Sequence, residues 1–180
     1  MKKLPHFLDK GEHSCAFYQN EGEKLRIILP FIRAGLILCE KCVLITSLTD
    51  FETVKKAIQN SKGDGLLVDE EKILHIDSSV YLTAFRSGTF SGLGVQWRQM
   101  VEGFLAEGYM AVRGVGCLET EYSPELEAFL LGYERTINTL FLQYPVSAIC
   151  LYPAHRTRAS FGHQLLAPTI HPVQADPLPV

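Results

Sequence analysis

SPELEAFLLGYERTINTLFLQYPVSAICLY, residues 123–152, holds a helix, a turn and a buried strand in one run. Leu126, Phe129, Leu130, Tyr133, Ile137, Leu140 and Phe141 recur at three- and four-residue intervals. That spacing lays them along one stripe of a helix. Ser123 suits the N-cap and Pro124 the first helical position, while Glu125 and Glu127 favour the positive end of the helix dipole. Gln143-Tyr144-Pro145 ends the helix, because proline disfavours a helical residue before it. Residues 146–152 are then almost unbroken apolar, bounded by Pro145 and Pro153, the pattern of a strand covered on both faces. A helix feeding such a strand is half of a βαβ unit.

The same alternation runs upstream. Residues 15–18 (CAFY), introduced by His13, predict a first strand, and Asn20 with Glu23 a capping box. Leu25, Ile28, Leu29, Ile32 and Leu36 continue as a helical stripe, in which Pro30 predicts a kink or a late start. CVLIT (42–46) predicts a second strand, and Thr49 with Glu52 caps a short helix over residues 50–60. SKGDG (61–65) predicts a loop, ILHI (73–76) a third strand, and RSGTFSGLG (86–94) a Gly/Ser loop of the kind that carries function. Leu93, Trp97, Met100, Val101 and Phe104 define the next helix, Gly108 ends it, and YMAV (109–112) predicts the fourth strand.

Strands alternating with amphipathic helices predict an α/β fold: a doubly wound, mainly parallel five-stranded sheet with helices on both faces. One domain is expected over residues 13–167, after a lead-in at 1–12 and before a Pro-rich, irregular tail at 168–180. Ligands of such sheets bind at the strand carboxyl ends. That rule selects residues 19–24, 46–49, 77–81, 113–120 and 152–158.

At 180 residues and 47% hydrophobic, the chain can bury one substantial core. A net charge of −3 argues against a general nucleic-acid binder, which carries a basic face. Five cysteines, an odd number in apolar contexts, fit reduced thiols better than a disulfide framework. No apolar run reaches membrane-span length and residues 1–12 lack a signal-peptide core, so a soluble cytoplasmic protein is expected.

His13 with Phe17-Tyr18, PFIRAGLILCEKCVLI (30–45), Gly108 with Arg113, YERTIN (133–138), AICLY (148–152) and His171-Pro172 resemble, in order and spacing, the MEDS family. These are the methanogen/methylotroph, DcmR-type sensory domains. The resemblance implies a degenerate RecA/KaiC-like fold with its nucleotide machinery lost. It also implies the sensing of small organic molecules for transcriptional or kinase signalling. Two positions depart from the family pattern: Cys117 stands where an acid is usual, and Pro153 where an Asp is common. If those acids contact ligand, the ligand here differs.

The residues themselves speak against ATP chemistry. A phosphate loop needs G-x-x-x-x-G-K-[ST] after the first strand, and this chain reads YQNEGEKLR (18–26), with Glu21 and Glu23 repelling phosphate. Cys39-x-x-Cys42 lacks a second ligand pair and reads as structural thiols. His13 either ties the chain to a neighbouring loop or meets a ligand, and Tyr18 either enters the crevice or caps the core. Arg113, beside Gly114 and Gly116, needs an acceptor: Glu119, Glu134 or an anionic ligand. Tyr133 lies on the apolar stripe, and Glu134 and Asn138 share an adjacent face, solvated or functional. Cys150, in mid-strand, lacks the setting of a nucleophile. His155, Arg156 and Arg158 form either a solvated basic loop or an anion site.

The expected function is therefore a non-catalytic sensory domain. Its small organic ligand would meet His13, Tyr18, Arg113, Glu119 and Tyr152, with Cys117, Tyr133, Glu134 and Asn138 in support. No metal and no cofactor are expected. The expected partner is a regulatory protein such as a sensor kinase or transcription factor, without direct nucleic-acid or membrane contact, and a homodimer is open. The alternatives from other classes are an enzyme using a Cys/His site and a ligand-free docking module.

Overall fold

Asn20 stops the chain at the end of its first strand and starts a helix: its side chain accepts the Glu23 N–H at 3.0 Å, and the Glu23 carboxylate accepts the Gln19 N–H at 2.7 Å. The computed structural model describes residues 10–60, 69–165 and 171–172. In chain order these form β1 (His13–Tyr18), α1 (Glu21–Ile37), β2 (Lys41–Thr46), α2 (Leu48–Asn60) and β3 (Ile73–Asp77). Then follow α3 (Ser79–Ser87), α4 (Phe90–Ala106), β4 (Val112–Cys117), α5 (Pro124–Phe141), β5 (Val146–Pro153), α6 (Ala159–Leu165) and β6 (His171–Pro172). A 3-10 turn over Glu70–Lys72 leads into β3.

All strand pairs are parallel, in the order β3-β2-β4-β5-β1-β6. α1 and α2 cover one face through Ile28, Phe31, Ile32, Val54 and Ile58. α3, α4, α5 and α6 cover the other through Tyr81, Trp97, Leu130, Tyr133 and Phe161. The predicted doubly wound α/β fold is thus present, with a two-residue sixth strand added to the predicted five. As the stripe on residues 126–141 requires, Leu126, Leu130, Tyr133, Ile137, Leu140 and Phe141 are buried, and Ser123 accepts the Leu126 N–H at 3.2 Å. Among the described residues, no helix is long and apolar enough to cross a membrane.

Several local expectations are corrected. α1 begins at Glu21 and runs through Pro30 without a late start. The cap of α2 is Ser47, whose hydroxyl accepts the Asp50 N–H at 3.1 Å, in place of Thr49. The Gly/Ser stretch 86–94 is mostly helix: α3 ends at Gly88, in left-handed backbone with φ 67°, and α4 resumes at Phe90. His171–Pro172, expected as irregular tail, pairs with β1. The predicted loop at 61–65 and the rest of the tail lie outside the described residues.

The fourth strand is displaced furthest. It covers Val112–Cys117 instead of residues 109–112, because Gly114 and Gly116 lie inside the strand. A Cβ on Gly114 would stand 2.9 Å from the Trp97 ring, and one on Gly116 would stand 2.8 Å from the Tyr81 hydroxyl. Glycine lets those aromatic rings rest on the sheet backbone. Gly114→Ala should accordingly cost about 1–3 kcal/mol through overpacking. Gly103→Ala, on α4 with no atom within 4 Å of the new methyl, should gain about 0.5–1 kcal/mol. Urea unfolding of the two variants checks both signs; equal effects would remove the packing argument.

Candidate functional site

Strand alternation sorts the chemistry of β1 onto two faces. His13, Cys15 and Phe17 point toward α5, and Tyr18 points toward α1. On the α5 side the centre is Glu134, which has no exposed surface. One carboxylate oxygen lies 3.0 Å from His13 Nε2 and accepts from the Cys15 thiol at 3.4 Å. The other accepts the Tyr152 hydroxyl at 2.5 Å. Cys150 Sγ stands 3.4 Å from the same His13 nitrogen. Burial pushes the Glu134 carboxyl upward, but the His13 ring and the Tyr152 hydroxyl outweigh it and hold the group below its ordinary value. Burial, with Glu134 beside them, raises the Cys15 and Cys150 thiols well above theirs, so both stay protonated at neutral pH.

Toward the carboxyl ends of β4 and β5 this cluster borders a small cavity with about 10 Å³ for water centres, room for roughly one molecule. Glu134, Cys150 and Tyr152 face it together with Tyr81, Tyr133 and Leu118. Tyr133 accepts the Trp97 indole N–H at 2.9 Å, and its hydroxyl lies 3.4 Å from that of Tyr81.

On the opposite face, Lys24 in the first turn of α1 is completely buried. Its ammonium donates to Asp50 at 2.7 Å and to Glu119 at 2.7 Å, with Glu21 at 2.8 Å. Burial opposes the ammonium, yet these carboxylates hold Lys24 above its ordinary value. The Tyr18 hydroxyl donates to the same Glu119 oxygen at 2.7 Å and lies 3.6 Å from Cys117 Sγ. Partial burial of Glu119 is outweighed by Lys24 and Tyr18, so its carboxyl is lowered; burial pushes the Cys117 thiol up to about 12.

Arg113 belongs to neither group. It is the second residue of β4, at the amino end, because the strand begins at Val112. Its Nε donates to Glu40 at 2.6 Å, Nη1 donates to the Phe31 carbonyl at 3.3 Å, and the guanidinium lies 4.6 Å from the Phe31 ring centroid. The expected acceptors Glu119 and Glu134 are replaced by Glu40, and the expected place in the crevice is corrected.

The family model described as MEthanogen/methylotroph, DcmR Sensory domain (MEDS) matches residues 12–169. The chain belongs to the MEDS family. Comparison with curated proteins gives no significant match.

Within this MEDS domain the five principal ligand residues read from the sequence fall into three places. Tyr18 and Glu119 meet on the α1 face, His13 and Tyr152 meet through Glu134 on the α5 face, and Arg113 stands apart. Of the supporting residues, Cys117 joins the α1 face and Tyr133 lines the cavity, while Asn138 is half-buried one turn beyond Glu134. Glu134 is fully buried, so its solvated reading is corrected. Sequence reasoning missed Lys24, Asp50 and Glu127. Lys24 precedes Ile28 by four residues on the buried stripe, which was the available signal. Glu127 is buried against Arg158, accepting its backbone N–H at 3.0 Å and its Nε–H at 2.5 Å; Arg158 stays in the loop after β5, exposed and paired with Glu127. Cys39 is exposed with φ 57°, while Cys42 is buried on β2, its thiol raised to about 12 by burial.

Lys24→Met should cost about 3–5 kcal/mol in urea unfolding at neutral pH, because it strands buried Asp50. Adding Asp50→Asn should return part of that loss. The lowered Glu119 stabilises the fold above its ordinary carboxylate value, about 4.3, and this share is lost as pH falls through its folded value. The gap between wild type and Lys24→Met should therefore narrow in acid. An unchanged unfolding midpoint at neutral pH would show that the Lys24 cluster carries no stability.

Proposed function

We propose that this MEDS domain is a non-catalytic sensor whose small organic ligand enters the cavity between α5 and the ends of β4 and β5. The observation that carries the reading is a buried ionised carboxylate, Glu134, facing a small cavity that Tyr81, Tyr133 and Tyr152 also line. Such a mixture of apolar wall and few convergent polar groups is how small-molecule pockets are built. The cavity holds about one water, so a ligand of a few heavy atoms must widen it by displacing α3 or the segment after β4. That displacement is the signal passed to a regulatory protein, a sensor kinase or a transcription factor, in the cytoplasm.

The degenerate RecA/KaiC-like origin is part of the same proposal. The lost nucleotide machinery that this origin implies agrees with the turn from β1 into α1, where Lys24 is engaged by three carboxylates, which repel a nucleotide's phosphates. ATP binding and hydrolysis are not expected, and a saturable calorimetric signal with Mg-ATP and phosphate release would contradict this.

Native mass spectrometry of the full chain purified from cells should reveal a co-purifying small molecule. A thermal-shift panel of short-chain alcohols, amines and thiols should raise the melting temperature with at least one class. Tyr152→Phe, which removes a hydroxyl at Glu134, should weaken that shift. No bound molecule and no shift across the panel would sink the sensor reading in favour of a docking module, and turnover of a panel compound would favour an enzyme.

A further inference from the structure

Cys15 and Glu134 are 119 residues apart in sequence and meet His13 in the core. The acceptor atoms of the three, His13 Nε2, Cys15 Sγ and a Glu134 oxygen, lie within 4.8 Å of one another. All three residues are fully buried. We propose that they form a binding site for a divalent ion of the zinc class, held by His13 Nε2, Cys15 Sγ and Glu134 Oε2.

The geometry fits that ion. Zinc bonds of about 2.0–2.1 Å to His nitrogen, about 2.0–2.2 Å to carboxylate oxygen and about 2.3 Å to thiolate set ligand-to-ligand edges of roughly 3.3–3.6 Å in a tetrahedron. Two observed edges, 3.0 Å from His13 to Glu134 and 3.4 Å from Cys15 to Glu134, lie within a few tenths of an ångström of these values, and the third, from His13 to Cys15, is within 4.8 Å. An N, S, O donor set suits zinc and excludes magnesium and calcium, which take all-oxygen shells. Charge fits too: one thiolate and one carboxylate cancel two positive charges, leaving a neutral buried centre. Binding releases the Cys15 proton to solvent, shifts the His13 ring proton from Nε2 to Nδ1 so that Nε2 can ligate, and exchanges the His13–Glu134 hydrogen bond for two metal bonds.

The surroundings orient the donors. Tyr152 holds the second Glu134 oxygen at 2.5 Å, and the Phe141 ring packs edge-on against the His13 imidazole with centroids 5.8 Å apart. The His13 Nδ1 is buried without a partner, a cost that metal binding leaves in place. Cys150 Sγ stands beside the three, 3.4 Å from His13 Nε2. The other mixed group of this kind, Asp50, Cys117 and Glu119, is already organised around the Lys24 ammonium and is not a competing site.

This inference shares Glu134 with the proposed pocket but stands without it, since metal content is read with no organic compound added. The full chain, purified without chelator, should carry close to one zinc per chain by elemental analysis. After chelation it should take up one Co²⁺ with a thiolate-to-cobalt charge-transfer band and the intense d–d bands of a four-coordinate ion. Cys15→Ser and Glu134→Gln, both near-isosteric, should lose the charge-transfer band and the stoichiometric zinc respectively, while Cys39→Ser and Cys42→Ser should keep both. Zinc should also raise the melting temperature of wild type, which guards against variants that fail to fold. A folded wild type with neither zinc, cobalt bands nor a zinc-induced shift would overturn the assignment. So would metal that survives Cys15→Ser and disappears in Cys39→Ser or Cys42→Ser.

Discussion

A carboxylate with no exposed surface has to be ringed by proton donors, and Glu134 decides how β1, β5 and α5 meet. Removing such a group from water costs several kcal/mol unless it is paired and hydrogen-bonded. His13 and Cys15 from β1 and Tyr152 from β5 supply the donors. The same requirement pins the register of β1. Sliding that strand by one residue would turn Ser14 and Ala16 toward α5 and carry His13 and Cys15 to the other face. The apolar residues alone discriminate weakly here, since both faces of β1 are buried. The polar set at Glu134 does so strongly.

The second buried charge does comparable work on the opposite face. Lys24 joins α1, α2 and the segment after β4 by donating to Asp50 and Glu119, and Tyr18 adds β1 to the group. Each face of the sheet therefore closes around one ion cluster of opposite central sign: an ammonium among carboxylates on the α1 side, a carboxylate among donors on the α5 side. A third pair, Arg113 with Glu40, closes the amino end of the sheet beneath α1. Gly35 makes room for it, since a Cβ there would stand 2.8 Å from Arg113 Cδ.

The fold was legible where periodicity and end signals agree. The stripe on residues 126–141, capped by Ser123 and stopped before Pro145, reads directly as a helix, and the apolar run after it reads as a strand. β4 was not legible, because glycine in a strand reads as a break unless the rings resting on it are known, and Trp97 and Tyr81 come from distant helices. That error moved Arg113 from the amino end to the carboxyl end of the sheet, and its expected acceptors moved with it. The candidate site was legible as residue types and not as groupings. His13, Tyr18, Glu119 and Tyr152 are all polar residues of the buried interior or its edge, yet strand alternation divides them between two faces. Glu134 and Lys24 look like ordinary helix-surface charges until the helix phase is fixed, and only then does each fall on the buried stripe.

The two clusters differ in how readily they can move, and this bears on sensing. A ligand shifts a conformational equilibrium only by its differential affinity for the two states. Opening the Lys24 cluster would separate an ammonium from buried carboxylates at about 3–5 kcal/mol, which demands more than two decades of differential affinity. On the α5 face the cavity is bounded by tyrosine hydroxyls, one pair of which is in long contact at 3.4 Å, and by Leu118 in the segment after β4. Widening it breaks weak neutral contacts and leaves Glu134 held by His13. For the proposed sensor, the softer route would therefore run through α3, α4 and α5, with α1 and α2 as the fixed frame. A response carried this way would reach the surface on α4 and α5, the helices that bear Trp97 and Tyr133, away from the Lys24 side.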